Sequence, residues 1–274
     1  MKKVIIILSF AALFSSCGTE FTAVDKFGDA EQKYEFAKEC FALGKFQNAV
    51  SLLEELITMK KGTEEAQECL YMLAMAQFCN QDYEAAAETF RKYGSSYPRG
   101  IFAESAAFYV GQSLYQSAPE PRLDQSATNG AITAYQQFMD LYPDSKLRSQ
   151  AQDRLYELYD KLVQKEYLSA ELYYNLGGYF GNINSNDESN YNAAIITAQN
   201  CLKTYPYCSL REKFMILIMK SKFELAENST DEKRLERYRD AEDECYGFLN
   251  EFPDSKSARL AEKYIIKCRK VTKD

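Results

Sequence analysis

The sequence contains no histidine and no tryptophan, and only 12 of its 274 residues are glycine and 6 are proline. The missing histidine removes the commonest general base and a principal ligand of zinc and iron. The scarcity of glycine and proline argues against a loop-rich β protein, whose turns depend on both. The sequence also lacks a Cys-x-x-Cys pair, a Gly-x-Ser-x-Gly motif and a glycine-rich phosphate-binding loop. We therefore predict that the protein is not an enzyme and holds no metal or cofactor.

The charge is predominantly negative, with 40 acidic and 33 basic residues and a net charge of −7. An acidic chain is a poor partner for nucleic acid, because binding to the phosphate backbone requires a basic surface. Hydrophobic residues make up 46% of the chain and charged residues 27%, which is typical of a globular protein. The composition predicts a folded protein with no nucleic-acid partner.

The residue types at the amino terminus follow one another in the order that is typical of a secretion signal. Two lysines precede an apolar run at residues 4–14, which is too short to cross a bilayer. Small residues then stand directly before Cys17, and this arrangement resembles the lipobox of bacterial lipoproteins. The resemblance implies that residues 1–16 are a signal peptide, that Cys17 carries a lipid and that residues 17–28 form a lipidated tether. The alternative is ordinary cleavage that leaves Cys17 as a plain thiol.

A repeated pattern extends over the rest of the chain. Four alanines each stand twelve residues before a proline, and the residue before each proline is aromatic. A small residue lets two helices approach closely, and a proline stops the second helix. The alanines are Ala86, Ala131, Ala194 and Ala241, and the prolines are Pro98, Pro143, Pro206 and Pro253. An earlier copy around Ala49 lacks the proline.

This pattern resembles the tetratricopeptide repeat, whose unit is a pair of antiparallel helices. We expect an all-α superhelix, or α-solenoid, of about five helix pairs and a C-terminal capping helix. Residues 29–144 would hold repeats one to three, and residues 145–274 would hold repeats four and five and the capping helix. Residues 145–180 contain apolar side chains at three- and four-residue spacing, which predicts one long helix joining the two halves.

Together these features resemble the BamD family of outer-membrane assembly lipoproteins. The most specific parts are the lipobox, the repeats that end in Tyr-Pro, the insertion containing Asp124 and Gln125, and the run from Glu166 to Tyr179. Leu176 stands where that family has arginine.

The BamD resemblance implies a scaffold of the β-barrel assembly machinery, anchored by its lipid to the periplasmic side of the outer membrane. Its expected partners are the POTRA domains of a BamA-like barrel subunit and unfolded outer-membrane protein clients. Residues Gly177, Gly178 and Tyr179 are the expected partner-binding positions.

The first helix of each tetratricopeptide pair lines the concave face, so the register also predicts a peptide-binding groove. An aromatic groove beside a lysine suits a peptide that ends in an aromatic residue and a carboxylate. The BamD resemblance implies that clients carry such ends. The alternative is that several of these aromatic rings pack against the next repeat. The predicted groove residues are Tyr34, Lys38, Phe41, Tyr71, Met75, Phe78 and Tyr109.

The sequence contains eight cysteines. If Cys17 is lipidated, seven remain, so at least one of them cannot form a disulfide within the chain. Most fall on helical core positions, where cysteine behaves as a small hydrophobe. Cys201 and Cys208 flank a Tyr-Pro pair and form the first pair to test for a disulfide.

Another class of function remains compatible with these patterns. A different tetratricopeptide-repeat lipoprotein could act as a cell-envelope adaptor that binds peptidoglycan or division proteins. Co-purification with the barrel subunit separates the two functions.

Overall fold

The computed structural model describes residues 21–177 and 190–273, and this part of the chain forms helices and turns without a strand. Residues 21–27 are helical. In chain order, the helices that follow are α1 (Ala30–Ala42), α2 (Phe46–Met59), α3 (Glu65–Cys79), α4 (Tyr83–Ser96), α5 (Ala103–Ser117), α6 (Ser126–Leu141), α7 (Arg148–Asn175), α8 (Asn190–Thr204), α9 (Arg211–Glu227), α10 (Asp231–Glu251) and α11 (Ala258–Thr272).

The helices follow one another as five pairs and a final helix. The pairs are α1 with α2, α3 with α4, α5 with α6, α7 with α8, and α9 with α10. From α1 to α6, and again from α8 to α11, each helix contacts the next along the chain. For the described residues, this confirms the predicted all-α fold of tetratricopeptide-type helix pairs with a terminal helix.

The alanines of the repeat all lie in the interior of the helix packing. A helix can approach a neighbour at these points because alanine adds only a methyl group. All of them are completely buried, including the one in the copy that lacks a proline: Ala49, Ala86, Ala131, Ala194 and Ala241.

The prolines end the second helices as the pattern predicts. The helices α4, α6 and α10 each stop one residue before an aromatic residue that precedes a proline. These aromatic residues, Tyr97, Tyr142 and Phe252, have φ between −132° and −126° and ψ between 62° and 67°. A following proline disfavours helical dihedral angles in the preceding residue. The same local sequence therefore stops all three helices.

The chain divides into two compact units. Of the described residues, unit one contains 21–119 and Gln125–Leu158, and unit two contains Glu120–Asp124, 159–177 and 190–273. The division falls inside α7, which at 28 residues is the long helix that the apolar spacing predicts.

Each unit has its own apolar core. In unit one, Leu52, Leu53 and Leu56 of α2 are fully buried, as is Phe90 of α4. The helical residues 21–27 belong to this unit, and Phe21 packs against the core around α1 and α2. The predicted tether is thus helical at residues 21–27.

The core of unit two draws on α7 to α11. Val163 and Ala170 of α7 pack with Phe214 of α9, while Phe223 and Phe248 pack beneath α11. The predicted apolar face of the long helix is therefore the face that enters this core.

Candidate functional site

Three of the predicted functional residues lie outside the described residues. They are the lipidation site Cys17 and the partner-binding positions Gly178 and Tyr179. The other predicted site residues are all described, and the seven groove residues all belong to unit one.

The groove residues of α1 surround a buried tyrosine. Tyr34 is only 6% exposed, and the ammonium groups of Lys38 and Lys60 lie 4.8 and 4.6 Å from the centroid of its ring. Burial, together with a hydrogen bond to the Glu68 carboxylate, raises the pKa of the Tyr34 hydroxyl. Tyr34 thus contributes mainly to packing, and two cations cover the face of its ring.

The two neighbours of Tyr34 in the predicted groove are more accessible. Lys38 is half-buried and forms an ion pair with Glu35 at 3.0 Å, one turn earlier on α1. Phe41 is half-buried, with its ring centroid 5.6 Å from that of Phe46 at the start of α2. Both side chains keep part of their surface available to a ligand.

The groove residues of α3 and α5 form one aromatic cluster. Phe78 and Tyr109 meet edge to face with ring centroids 5.3 Å apart. Tyr71 stacks on Phe102 at 4.3 Å. Met75 packs against the same buried cluster, and all four predicted residues of this group are half-buried. The structure therefore joins Tyr71, Met75, Phe78 and Tyr109 in one surface.

Phe90 of α4 packs against two rings of this aromatic cluster. Its ring is fully buried, with centroids 5.8 Å from Tyr71 and 5.4 Å from Tyr109. The prediction of the groove omitted Phe90 and Phe102. Phe90 could have been found, because it lies four residues after the repeat alanine Ala86, where a large side chain fills the seam between helices.

The aromatic surface is suited to binding an apolar ligand. Its rings carry apolar faces and polarised edges, which suit aromatic or aliphatic side chains of a peptide. Tyr71 adds a hydroxyl group whose pKa is raised chiefly by burial, so this group stays protonated at neutral pH. The arrangement favours recognition of an apolar peptide.

Gly177 has a clear packing role. A β-carbon at this position would lie 2.1 Å from Cε1 of Tyr191, far inside van der Waals contact. The Asn190 side-chain amide donates a hydrogen bond to the Leu176 carbonyl at 2.9 Å. The glycine thus lets the start of α8 pack closely against the end of α7.

The cysteines of the described residues are all free, including Cys201 and Cys208. Burial raises the pKa of the Cys201 and Cys245 thiols to about 12 and that of Cys268 to about 11. These thiols are protonated at neutral pH, as expected for core side chains. Cys79 is the exposed one among the described cysteines.

We expect the buried thiols to weaken the fold at alkaline pH. An unfolded thiol has a pKa of about 8.5, so the folded chain binds more protons than the unfolded chain above that value. The stabilisation is complete below pH about 8.5 and is lost as pH rises toward about 12, where Cys245 titrates in the folded state. Each such thiol contributes a slope of about 1.4 kcal/mol per pH unit. Urea unfolding at a series of pH values measures this slope.

The matched variants for the alkaline experiment are Cys245→Ala and Ala261→Gly. Both positions are fully buried in the same core cluster, and only the first carries a titrating group. Cys245→Ala should reduce the pH slope, and Ala261→Gly should lower stability at every pH without changing the slope. Equal slopes in wild type and Cys245→Ala would contradict the assignment.

Comparison with protein-family models identifies a family to which the chain is similar. The family model described as YfiO, outer membrane lipoprotein, matches residues 27–188 of the chain. No curated protein matches it. Within the described residues, every helix is too short or too polar to span a bilayer.

Proposed function

The chain belongs to the YfiO family of outer membrane lipoproteins, and on this basis we propose that it is a scaffold subunit of the β-barrel assembly machinery. In this role it faces the periplasm, binds the POTRA domains of a BamA-like barrel subunit, and aids the folding and insertion of outer-membrane proteins. The family match carries the proposal, because it extends from residue 27 through α7 and includes the first three helix pairs.

The proposed anchor is a lipid on Cys17. Processing after residue 16 would make this cysteine the first residue of the mature chain. Two or three acyl chains on it would hold the protein at the membrane, since each buried CH₂ contributes about 0.8 kcal/mol. Residues beyond the anchor would then face the periplasm.

The proposed client surface is the aromatic cluster of α3 and α5. Phe78 and Tyr109 are half-buried and meet edge to face, so an incoming aromatic ring can extend the same arrangement. The Lys38 side chain is 41% exposed and supplies a positive charge in the same unit. These features support binding of a client end that is aromatic and carries a carboxylate.

The proposed partner surface lies in repeats four and five, around Gly177, Gly178 and Tyr179. The support within the described residues is the close packing at Gly177, which sets the junction between α7 and α8. A rigid junction presents the neighbouring side chains in one arrangement, and such preorganisation lowers the entropic cost of binding.

The proposal is tested by purifying the tagged full-length lipoprotein from its own cells after mild membrane solubilisation. We expect the barrel subunit to co-purify with both the wild type and Phe78→Ala. Client proteins cross-linked to the wild type should be reduced by about 5- to 150-fold in the variant, because the lost aromatic contact is worth about 1–3 kcal/mol. Quantitative mass spectrometry measures both associations.

The control variant for this test is Leu43→Ala, which removes an apolar side chain that is 59% exposed in the same unit. It should retain both partners. Absence of the barrel subunit, with peptidoglycan-binding or division proteins in its place, would replace the scaffold assignment with that of a cell-envelope adaptor. Simultaneous loss of barrel subunit and clients from a folded Phe78→Ala protein would refute the separate client surface.

A further inference from the structure

The second half of α7 carries a second apolar stripe that the core does not use. Val163 and Ala170 of this segment are buried in the core of unit two. Lys165, Leu168 and Leu172 follow one another at three- and four-residue spacing, which places them together on a different face of the helix. Leu172 is 57% exposed, so the core of unit two does not cover this part of the face.

A turn of the chain lies beside this face of α7, and the turn and the helix together form a groove. The turn is closed by a hydrogen bond of 3.0 Å from the Leu123 N–H to the Glu120 carbonyl, and it belongs to unit two together with the second half of α7. Pro121 and Arg122 from the turn line a cavity of about 470 Å³ with Lys165, Leu168 and Leu172 from the helix. This volume lies within the range of ligand-binding clefts, about 300–1,000 Å³.

The apolar surface continues beyond the cavity. Leu176 lies four residues after Leu172, just beyond the C-terminal end of α7 and on the same side as Leu172. Its side chain is 38% exposed. This leucine lengthens the apolar stripe. Two exposed leucines beside a cavity are typical of a site that receives another protein segment.

The charge of the groove indicates which kind of protein segment it would bind. Within the described part of the chain, neither the Arg122 guanidinium nor the Lys165 ammonium makes a hydrogen bond or an ion pair. One acidic side chain, Glu171, also lines the cavity, and its carboxylate accepts a hydrogen bond from the Tyr167 hydroxyl at 3.1 Å. Two unpaired cations at an apolar cavity are complementary to carboxylates next to apolar side chains.

We propose that this groove, formed by Pro121, Arg122, Lys165, Leu168 and Leu172, docks an acidic, amphipathic segment of a partner protein. The apolar side chains of the segment pack on the two leucines, and its carboxylates pair with Arg122 and Lys165. The proposal is independent of the barrel-assembly role, since it depends only on the shape and charge of unit two. It adds a docking surface separate from the aromatic client surface of unit one.

The test uses the full mature chain and two fluorescent peptides. One is a short helical peptide with leucines on one face and glutamates beside them, and the other has glutamine in place of every glutamate. We expect the glutamate peptide to bind about tenfold more tightly at low salt, and this preference should shrink at about 1 M salt, where the screening length falls to about 3 Å. Fluorescence anisotropy measures both affinities.

Two sets of variants locate the binding site. The double charge reversal Arg122→Glu with Lys165→Glu should weaken the glutamate peptide by about tenfold or more, and Leu172→Ala by about fivefold. Lys256→Glu with Lys263→Glu is the matched control. Both lysines are exposed and lie in unit two, and the two substitutions change the net charge by the same amount as the double charge reversal. This control should bind as the wild type does. Circular dichroism verifies that each variant is folded.

Several results would overturn the docking proposal. If the two peptides bound equally, the cations would have no role in recognition. If the control pair weakened binding as much as the double charge reversal, the effect would come from net charge alone. Binding of phosphatidylglycerol vesicles through Arg122 and Lys165 without peptide binding would identify a lipid surface. Self-association that Leu172→Ala abolishes, again without peptide binding, would identify a second copy of the chain as the occupant. In each case co-purification of the barrel subunit still tests the scaffold role separately.

Discussion

Replacing Phe248 with alanine is expected to lower the free energy of unfolding by about 3–5 kcal/mol, the usual result of removing a fully buried aromatic side chain. Phe248 is completely buried in the cluster formed by α9, α10 and α11. Its ring lies 5.7 Å from that of Phe252, the residue between the end of α10 and the proline. The substitution would leave a cavity in the seam that the repeat alanine Ala241 opens, and urea unfolding measures the loss.

The control for this prediction is Ile266→Ala on α11. Ile266 is 61% exposed, so its truncation should change stability by no more than about 0.5 kcal/mol. The two variants remove apolar side chains from the same unit and differ in burial. If both lowered stability equally, the packing register of the last repeats would be wrong.

Replacing Cys17 with serine is expected to abolish lipid labelling and to release the protein from the membrane fraction. The predicted anchor depends on the thiol of this cysteine, to which serine offers no equivalent. The mature wild type would hold two or three acyl chains, which anchor stably, whereas a single chain gives only marginal binding. Growth with labelled palmitate followed by membrane fractionation measures both effects.

Cys79→Ser is the matched control for the anchor. Its thiol is exposed in the folded chain, so it is the described cysteine most open to non-specific acylation. This variant should label and fractionate as the wild type does. Label retained on Cys17→Ser would refute the lipobox prediction and leave Cys17 as an ordinary thiol.

The helix pairs were predictable because the signals that form them are local. Ala86 and Pro98 stand twelve residues apart, and this spacing alone sets one close helix contact and one helix end. The structure buries Ala86 completely and stops α4 just before Tyr97. The long helix was predictable for the same reason, because its apolar residues recur at the period of the helix.

The accessibility of the groove residues was less predictable. The sequence places Tyr34 and Lys38 one turn apart on α1, but it does not indicate what covers them. In the structure, Lys60 lies on the Tyr34 ring and Glu68 accepts a hydrogen bond from its hydroxyl. Both partners are more than twenty residues away in the chain, so only tertiary packing could show that Tyr34 is buried.

The sequence alone determined which residues are helical and which face of each helix is apolar, because neighbours three and four residues apart specify both. Tertiary structure decided which apolar side chains are covered. In α7 it buries Val163 and Ala170, leaves Leu172 exposed, and brings Arg122 from a turn more than forty residues earlier to the same groove as Lys165. Contacts over that distance depend on how successive helix pairs pack, and no local spacing encodes them.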